Sequence, residues 1–109
     1  MERPGQPTSY LFLKADGKLE KILLEEILFI EGMENYVVVH MRQRKIITHS
    51  TIKAILEKLP ATKFIQTHKS FIASVDKIDS IAGNTLYIQK HEVPVGRTLR
   101  EAVMKALLQ

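Results

Sequence analysis

The sequence predicts a mainly β domain of eight to ten short strands with two short helices. Residues 36–42 alternate, with Val37, Val39 and Met41 on one face, which indicates a strand. Asp16-Gly17 and Gly83-Asn84 each separate two short apolar runs, as hairpin turns do. Only two segments show the spacing of an amphipathic helix. The 109 residues suffice for one domain with a modest core.

The first half of the chain predicts five strands, at residues 10–13, 18–22, 27–31, 36–42 and 45–48. Asp16-Gly17 makes the first two a hairpin with a two-residue turn, and residues 24–26 form a link of a single helical turn. The break at residues 32–35 contains a glycine and an asparagine, which both tolerate the positive φ of many turns. In the fourth strand, alternation puts two valines and a methionine on one face.

A first helix is predicted over about residues 51–59. Its apolar residues begin at Ile52 and recur at i+3, i+4 and i+7. Ser50 or Thr51 can cap its start, and Pro60 stops it.

The remaining strands are predicted at residues 64–67, 78–82, 85–89 and 92–95, followed by a second helix over about residues 98–108. Pro94 favours a sheet edge, because proline has no N–H for the ladder. Thr98 as the N-cap and Glu101 three residues later fit a capping box, which predicts where the second helix begins.

Composition removes several classes of protein. The chain has no cysteine and therefore no disulfide or thiol chemistry, which is compatible with a reducing cytoplasm, the location that we expect. No apolar run approaches the roughly 18 residues of a membrane span, so we expect no membrane partner. Residues 1–9 lack the apolar centre of a signal peptide and are predicted to be a linker or tail before a domain at residues 10–109.

The charge is unevenly distributed along the chain, whose formal net charge is +4. Residues 1–39 contain four basic and seven acidic side chains, whereas residues 40–71 contain seven basic side chains and a single acid, Glu57. The middle third therefore predicts a basic face for a polyanion. The alternative is a solvated surface that is rich in lysine.

The chain lacks the patterns of catalysis. Its four histidines have no zinc-site spacing, and it has no glycine-rich phosphate loop. His68 and Ser70 lie on one face of an extended segment, but no nucleophile elbow surrounds them. Asp76 and Asp79 are better explained as turn residues. We therefore expect no enzyme activity, no metal and no cofactor.

Lys69 and Ser70 are binding candidates because they lie where a strand gives way to a loop. Lysine can donate to guanine, and a serine hydroxyl suits a phosphate oxygen. The alternative for Lys69 is a solvated lysine. The alternative for His68 is a partly buried, hydrogen-bonded side chain, which is the commoner state.

Arg97 and Arg100 are candidates at the start of the last helix, where free N–H groups and the helix dipole attract phosphate. Arginine is the commonest bidentate reader of guanine. The alternative for Arg97 is a surface ion pair with Glu92 or Glu101. Asn35 is a further candidate because its amide can pair with adenine, although its loop is equally explained as a simple turn.

Several motifs, taken in order, resemble the LytTR family. They are Ile-Leu-Phe-Ile-Glu-Gly-Met-Glu-Asn-Tyr-Val at residues 27–37, the helix at 52–59, Phe-Ile-Gln-Thr-His-Lys-Ser-Phe-Ile at 64–72, the strand at 78–81, and Val-Pro-Val-Gly-Arg at 93–97. The resemblance covers about residues 10–108. The chain departs from it at Gln66, where an arginine is common, and at Ala73-Ser74, where Val-Asn is more usual and would brace the Lys69 loop.

The resemblance implies an elongated domain of small, mostly antiparallel sheets that binds double-stranded DNA with loops instead of a recognition helix. Asn35, Lys69 and Arg97 would contact bases. Further loop or phosphate contacts would come from Met33, Glu34, His68, Ser70 and Arg100.

The resemblance also implies partners. Such domains are the output domains of bacterial response regulators, so a receiver domain in the same full-length chain, a sensor kinase upstream of it, and a dimer on directly repeated sites are expected. Two other functions remain open from the residues alone. A basic β-rich module could bind a protein by strand addition. RNA binding would need an aromatic stacking platform, which the candidate loops lack.

Overall fold

The structure is a computed structural model that describes residues 9–108, so the predicted tail lies outside the described residues except for Ser9. The described part contains ten strands in three antiparallel sheets and two helices, which confirms the mainly β prediction. The strands are β1 (Tyr10–Ala15), β2 (Lys18–Leu23), β3 (Ile27–Gly32), β4 (Val37–Met41), β5 (Lys45–Thr48), β6 (Phe64–His68), β7 (Phe71–Ser74), β8 (Ser80–Ala82), β9 (Thr85–Ile88) and β10 (His91–Pro94); the helices are α1 (Ile52–Leu56) and α2 (Arg100–Leu108).

The first hairpin forms as its turn sequence predicts. Asp16 and Gly17 both have positive φ, 53° and 77°, as a two-residue hairpin turn between β1 and β2 requires. The predicted helical link after β2 is a 3-10 turn at Leu24–Glu26.

The central sheet has the strand order β5-β4-β3-β7-β6, and its strand β7 was not predicted. β7 has four residues and sends Phe71 and Ile72 into cores on opposite faces of the sheet. A short strand that is apolar on both faces has no alternation to reveal it. Because β7 returns beside β6, the predicted loop at Lys69 is a tight two-residue hairpin turn.

The central sheet separates two cores. One lies between the sheet, the β1–β2 hairpin and α1, and the other lies between the sheet, β9, β10 and α2. A β-bulge in β3 lets the consecutive residues Leu28 and Phe29 both join the second core, while Ile27 and Ile30 join the first. The described part measures 39 × 36 × 24 Å, so it is flattened and the implied elongation is slight.

Both helices are shorter than predicted. Thr51 caps α1 by accepting from the Ala54 N–H at 3.0 Å, but α1 ends at Leu56 and a turn completes the path to Pro60. The second helix begins at Arg100, after a 3-10 turn at Arg97–Leu99. Thr98 therefore lies inside that turn and does not form the predicted cap.

The third sheet has the order β10-β9-β8, which places Pro94 on an edge strand as predicted. Gly83 has a φ of 61° in the turn between β8 and β9, and the predicted hairpin is confirmed. β8 begins at Ser80, two residues later than expected, and a 3-10 turn at Val75–Lys77 precedes it.

Candidate nucleic-acid interface

Three of the predicted binding segments meet at one end of the central sheet. They are the loop between β3 and β4 at residues 33–36, the β6–β7 turn at residues 69–70, and the segment after β10 at residues 95–97. We call this end of the sheet the loop end. Strand pairing brings the first two together, because Glu31 near the end of β3 is paired with Phe71 at the start of β7.

Two backbone hydrogen bonds fix the three segments to one another. The Gly32 N–H donates to the Ser70 carbonyl oxygen at 2.7 Å, which joins the first loop to the β6–β7 turn. The Gly96 N–H donates to the Thr67 carbonyl oxygen, also at 2.7 Å, which joins the third segment to the end of β6. The loop end is therefore one hydrogen-bonded unit.

The first loop exposes all four of its residues, Met33, Glu34, Asn35 and Tyr36. The Met33 N–H donates to the Tyr36 carbonyl oxygen at 2.8 Å and closes the loop. Positive φ is not used here, since Asn35 and Gly32 both lack it. Gly32 is needed for space instead, because a Cβ there would lie 2.6 Å from Cγ1 of Ile52 at the start of α1.

The β6–β7 turn presents Lys69 to solvent and turns His68 inward. Lys69 forms no ion pair among residues 9–108. His68 Nδ1 accepts the Ser70 N–H at 3.1 Å, and its ring meets the Phe71 ring edge to face at 5.7 Å. Gln66 Nε2 donates to the His68 carbonyl oxygen at 3.1 Å, so the residue that departs from the family pattern supports the turn.

Arg97 and Arg100 differ in their surroundings. Arg97 is exposed in the 3-10 turn and forms no ion pair with Glu92 or Glu101. Arg100 is half-buried, and its Nη1 donates to the Gly83 carbonyl oxygen and to Asn84 Oδ1, the latter at 3.4 Å. Arg100 thus ties the first turn of α2 to the β8–β9 turn.

The loop end also includes a segment that the sequence reasoning missed. Thr48 at the end of β5 is paired with Val37, so the chain from His49 to Lys53 leaves the sheet beside the first loop. His49 and Lys53 are both exposed there. Neither residue stands in a recognisable motif, and only the strand pairing reveals their place.

The basic residues of the middle third do not form one face. Lys53 and Lys69 lie at the loop end, but Arg42 and Arg44 lie in the β4–β5 turn at the opposite end of the sheet, because Met41 is paired with Ile27. Arg44 is also ion-paired with Glu20 at 3.5 Å. The basic side chains of the middle third are therefore divided between the two ends of the sheet and do not form one basic face, because β4 and β5 run in opposite directions.

A cluster of aromatic rings forms where His91 of β10 meets Phe29 and His40 of the central sheet. His40 stacks on Phe29 with ring centroids 4.2 Å apart, and the His91 ring of β10 lies 5.2 Å from Phe29. Burial lowers the pKa of His40 below its ordinary value, and the hydrogen bond and negative charge of Glu31 oppose that shift. Neighbouring His91 and Lys45 add to the lowering.

No group of three or more His, Cys, Asp or Glu side chains in the described part has an arrangement that could hold a metal ion. Among residues 9–108, neither helix has the length and apolarity to cross a membrane.

Comparison with known proteins finds several with similar sequences. The chain is 27% identical over 103 residues to the sensory transduction protein LytT of Bacillus cereus, covering 89% of this chain and 42% of that protein. It is 29% identical over 100 residues to LytT of Enterococcus faecalis, covering 86% of this chain and 41% of that protein. It is 23% identical over 111 residues to an uncharacterized response regulatory protein of Vibrio cholerae, covering 92% of this chain and 42% of that protein. The chain thus spans about two fifths of these relatives.

A solved LytTr DNA-binding domain from Bacillus cereus has the same fold, with a TM-score of 0.80 and 21% identity over 94% of this chain and 100% of that domain. The sequence profile of the LytTr DNA-binding domain matches residues 17–108. Since this match takes in most of the sequence, the chain belongs to the LytTr DNA-binding domain family, whose members bind DNA in transcription regulation.

Proposed function

We propose that this domain binds specific sequences in double-stranded DNA by inserting its three loops into the major groove. The observation that carries the proposal is the loop end itself. Asn35, Lys69 and Arg97 are exposed there on segments that two backbone hydrogen bonds join. Side chains on loops at the end of a rigid sheet can reach base edges without a recognition helix.

The three side chains have complementary chemistry for reading bases. Arg97 and Lys69 are donors suited to guanine, and the Asn35 amide is suited to adenine. Met33 and Glu34 flank Asn35 and would contact the DNA from the same loop. Specificity in this proposal comes from a few base contacts at the loop tips.

Phosphate contacts would provide most of the affinity. Ser70 is placed for such a contact beside Lys69, and exposed His49 and Lys53 extend the surface along the β5–α1 segment. Arg100 uses Nη1 to hold the β8–β9 turn, but a guanidinium has five N–H donors, so others stay available for a phosphate.

The wider setting proposed is a two-component regulator in the bacterial cytoplasm. The relatives are named as sensory transduction and response regulatory proteins and are more than twice as long as the matched region. We propose a receiver domain in the same full-length chain, controlled by a sensor kinase, and a dimer on directly repeated sites. Dimerisation would raise the local concentration of the second domain and tighten binding.

The experiment that tests this function is selection of binding sites from a random duplex DNA pool. We expect the domain to enrich a short repeated motif, and the Lys69→Ala variant to lose that enrichment. Arg44→Ala is the matched control, because Arg44 lies at the opposite end of the sheet, and it should select the same motif. Weak, salt-sensitive binding with no enriched motif would contradict sequence-specific recognition.

One observation favours the alternative of a protein-interaction module. The outer face of the β1–β2 hairpin exposes four large apolar side chains, Tyr10, Phe12, Leu19 and Leu23. Exposed apolar patches commonly mark protein contacts. This alternative predicts that the pool yields no motif, so the same selection separates the two functions.

A further inference from the structure

A β-bulge at Thr67 connects the Lys69 turn to the Arg97 segment. The pairing of β6 with β7 shifts between Gln66 and His68, so Thr67 is the extra residue of the bulge. Its carbonyl oxygen is thereby directed away from β7 and accepts the Gly96 N–H at 2.7 Å. Its hydroxyl, in a fully buried side chain, donates to the Pro94 carbonyl oxygen at 3.0 Å.

His68 continues this connection into the turn. Its Nδ1 accepts the Ser70 N–H, and its ring lies against Phe71 and against Gly96, where a Cβ would be 3.7 Å from His68 Cδ2. The ring thus lies between the β6–β7 turn and Gly96 of the Arg97 segment. Because the His68 side chain is in contact with the turn on one side and with Gly96 on the other, it supports the turn and is not directed at DNA.

We infer that Thr67 and His68 are positioning residues that hold Lys69 and Arg97 in one fixed arrangement, and that His68 does not itself contact DNA. The inference rests on the proposed function. Thr67 holds the Arg97 segment against β6 through Pro94 and Gly96, and His68 holds the Lys69 turn through the Ser70 N–H. Removing either brace leaves both reading side chains in place but frees them to move relative to each other.

The first test uses pairs of variants that differ in one hydrogen bond. Thr67→Val replaces the hydroxyl by a methyl group, and Thr67→Ser keeps it. His68→Leu removes the acceptor, and His68→Asn places Oδ1 near the position of Nδ1. We expect Thr67→Val and His68→Leu each to weaken binding to the selected duplex about fivefold to tenfold, as loss of one hydrogen bond does, while Thr67→Ser and His68→Asn restore it.

Binding to a scrambled duplex of equal length distinguishes positioning from direct contact. A positioning residue affects the specific duplex, because only base contacts require the fixed arrangement, so binding to the scrambled duplex should change less than about twofold. Equal losses on both duplexes would overturn the inference and make His68 a phosphate contact. Circular dichroism and urea unfolding of each variant check that the domain is folded.

Hydrogen exchange at the Ser70 amide tests the arrangement without any DNA. We expect this amide to be protected in the wild type and in His68→Asn, and to exchange at least about tenfold faster in His68→Leu, since an amide that loses its partner is open to water. Unchanged exchange would overturn the role of His68. If the amide behaves as expected but no duplex is bound specifically, the proposed function fails while the brace stands.

Discussion

At the scale of single residues, the loop end separates side chains that face solvent from side chains that build the surface. Lys69 and Arg97 are exposed and form no ion pair in the described part, whereas His68 and Arg100 have partners within the domain. All four were candidates for binding. The first pair is therefore accessible for the proposed base contacts, whereas the second pair makes supporting contacts within the domain.

Arg97→Ala should weaken binding to the selected duplex by about 1–3 kcal/mol and relax the preference at one base pair, because a bidentate arginine reads one guanine. Fluorescence anisotropy on the selected site and on its single-base variants measures both effects. Arg42→Ala, an exposed arginine in the β4–β5 turn, is the control and should bind like the wild type. Equal losses on selected and random DNA would contradict a base-reading role for Arg97.

Gly32→Ala should destabilise the domain by about 1–3 kcal/mol, because the new methyl group overlaps Ile52 Cγ1 at 2.6 Å and the packing must shift. Gly96→Ala is the matched control, since the nearest atom to its Cβ would be 3.6 Å away and its φ of −69° suits alanine. Urea unfolding of the two variants measures the difference. Equal unfolding free energies for the two variants would show that the Ile52 side chain moves aside without destabilising the domain.

At the scale of elements, the site depends on how strands are paired more than on the strands themselves. β7 completes the tight turn at Lys69, and the bulge at Thr67 brings the end of β10 against β6. The ring cluster of Phe29, His40 and His91 then packs β10 on the central sheet. The orientation of the Arg97 segment therefore depends on the contacts of β10 and the residues after it with β6 and with Phe29 of β3.

The His40 cluster should make stability depend on pH. The pKa of His40 is lower in the folded state than its ordinary value of 6.5, so the unfolded chain takes up its proton first as pH falls. The contribution of the neutral, half-buried ring to stability is therefore present above about pH 6.5 and is lost as pH falls through the folded pKa.

Urea unfolding between pH 7.5 and 4.5 measures this dependence. His40→Phe keeps a ring on Phe29 but cannot titrate, so its unfolding free energy should fall less in this window than that of the wild type. If the His40→Phe and wild-type curves stay parallel, the titrating group lies elsewhere.

At the scale of the whole molecule, basic side chains are divided between the loop end and the opposite end of the sheet. Among residues 9–108, Lys53 and Lys69 form no ion pair at the loop end, whereas at the opposite end Arg44 is paired with Glu20. The formal net charge of +4 therefore says less about DNA binding than the position of a few lysines does.

Lys53→Ala should lower affinity for selected and random duplexes alike, and should reduce the slope of log affinity against log salt by about one, because one phosphate contact is lost. Lys45→Ala, an exposed lysine at the far end of β5, is the control and should keep the wild-type slope. Affinity measured over a salt series gives the slopes. Identical slopes for the two variants would remove the β5–α1 segment from the interface.

The sequence by itself determined the class of fold, nine of the ten strands, both helices and the family. These features rest on local physics: alternation in β4, the Asp16-Gly17 turn, and the apolar stripes of the helices all act within a few residues. The candidate residues Asn35, Lys69 and Arg97 were also identified from their place at strand and helix ends. Their roles as base contacts stay predictions.

The tertiary structure alone decided what surrounds those residues. β7 has no alternation because both its faces are buried, so it was invisible until β3 and β6 were seen to flank it. The basic side chains of residues 40–71 do not form one face, because β4 and β5 run in opposite directions and bring these side chains to opposite ends of the sheet. Neighbours in sequence are separated, and distant segments such as Thr67 and Gly96 are joined, because strand pairing is a long-range contact that no local pattern encodes.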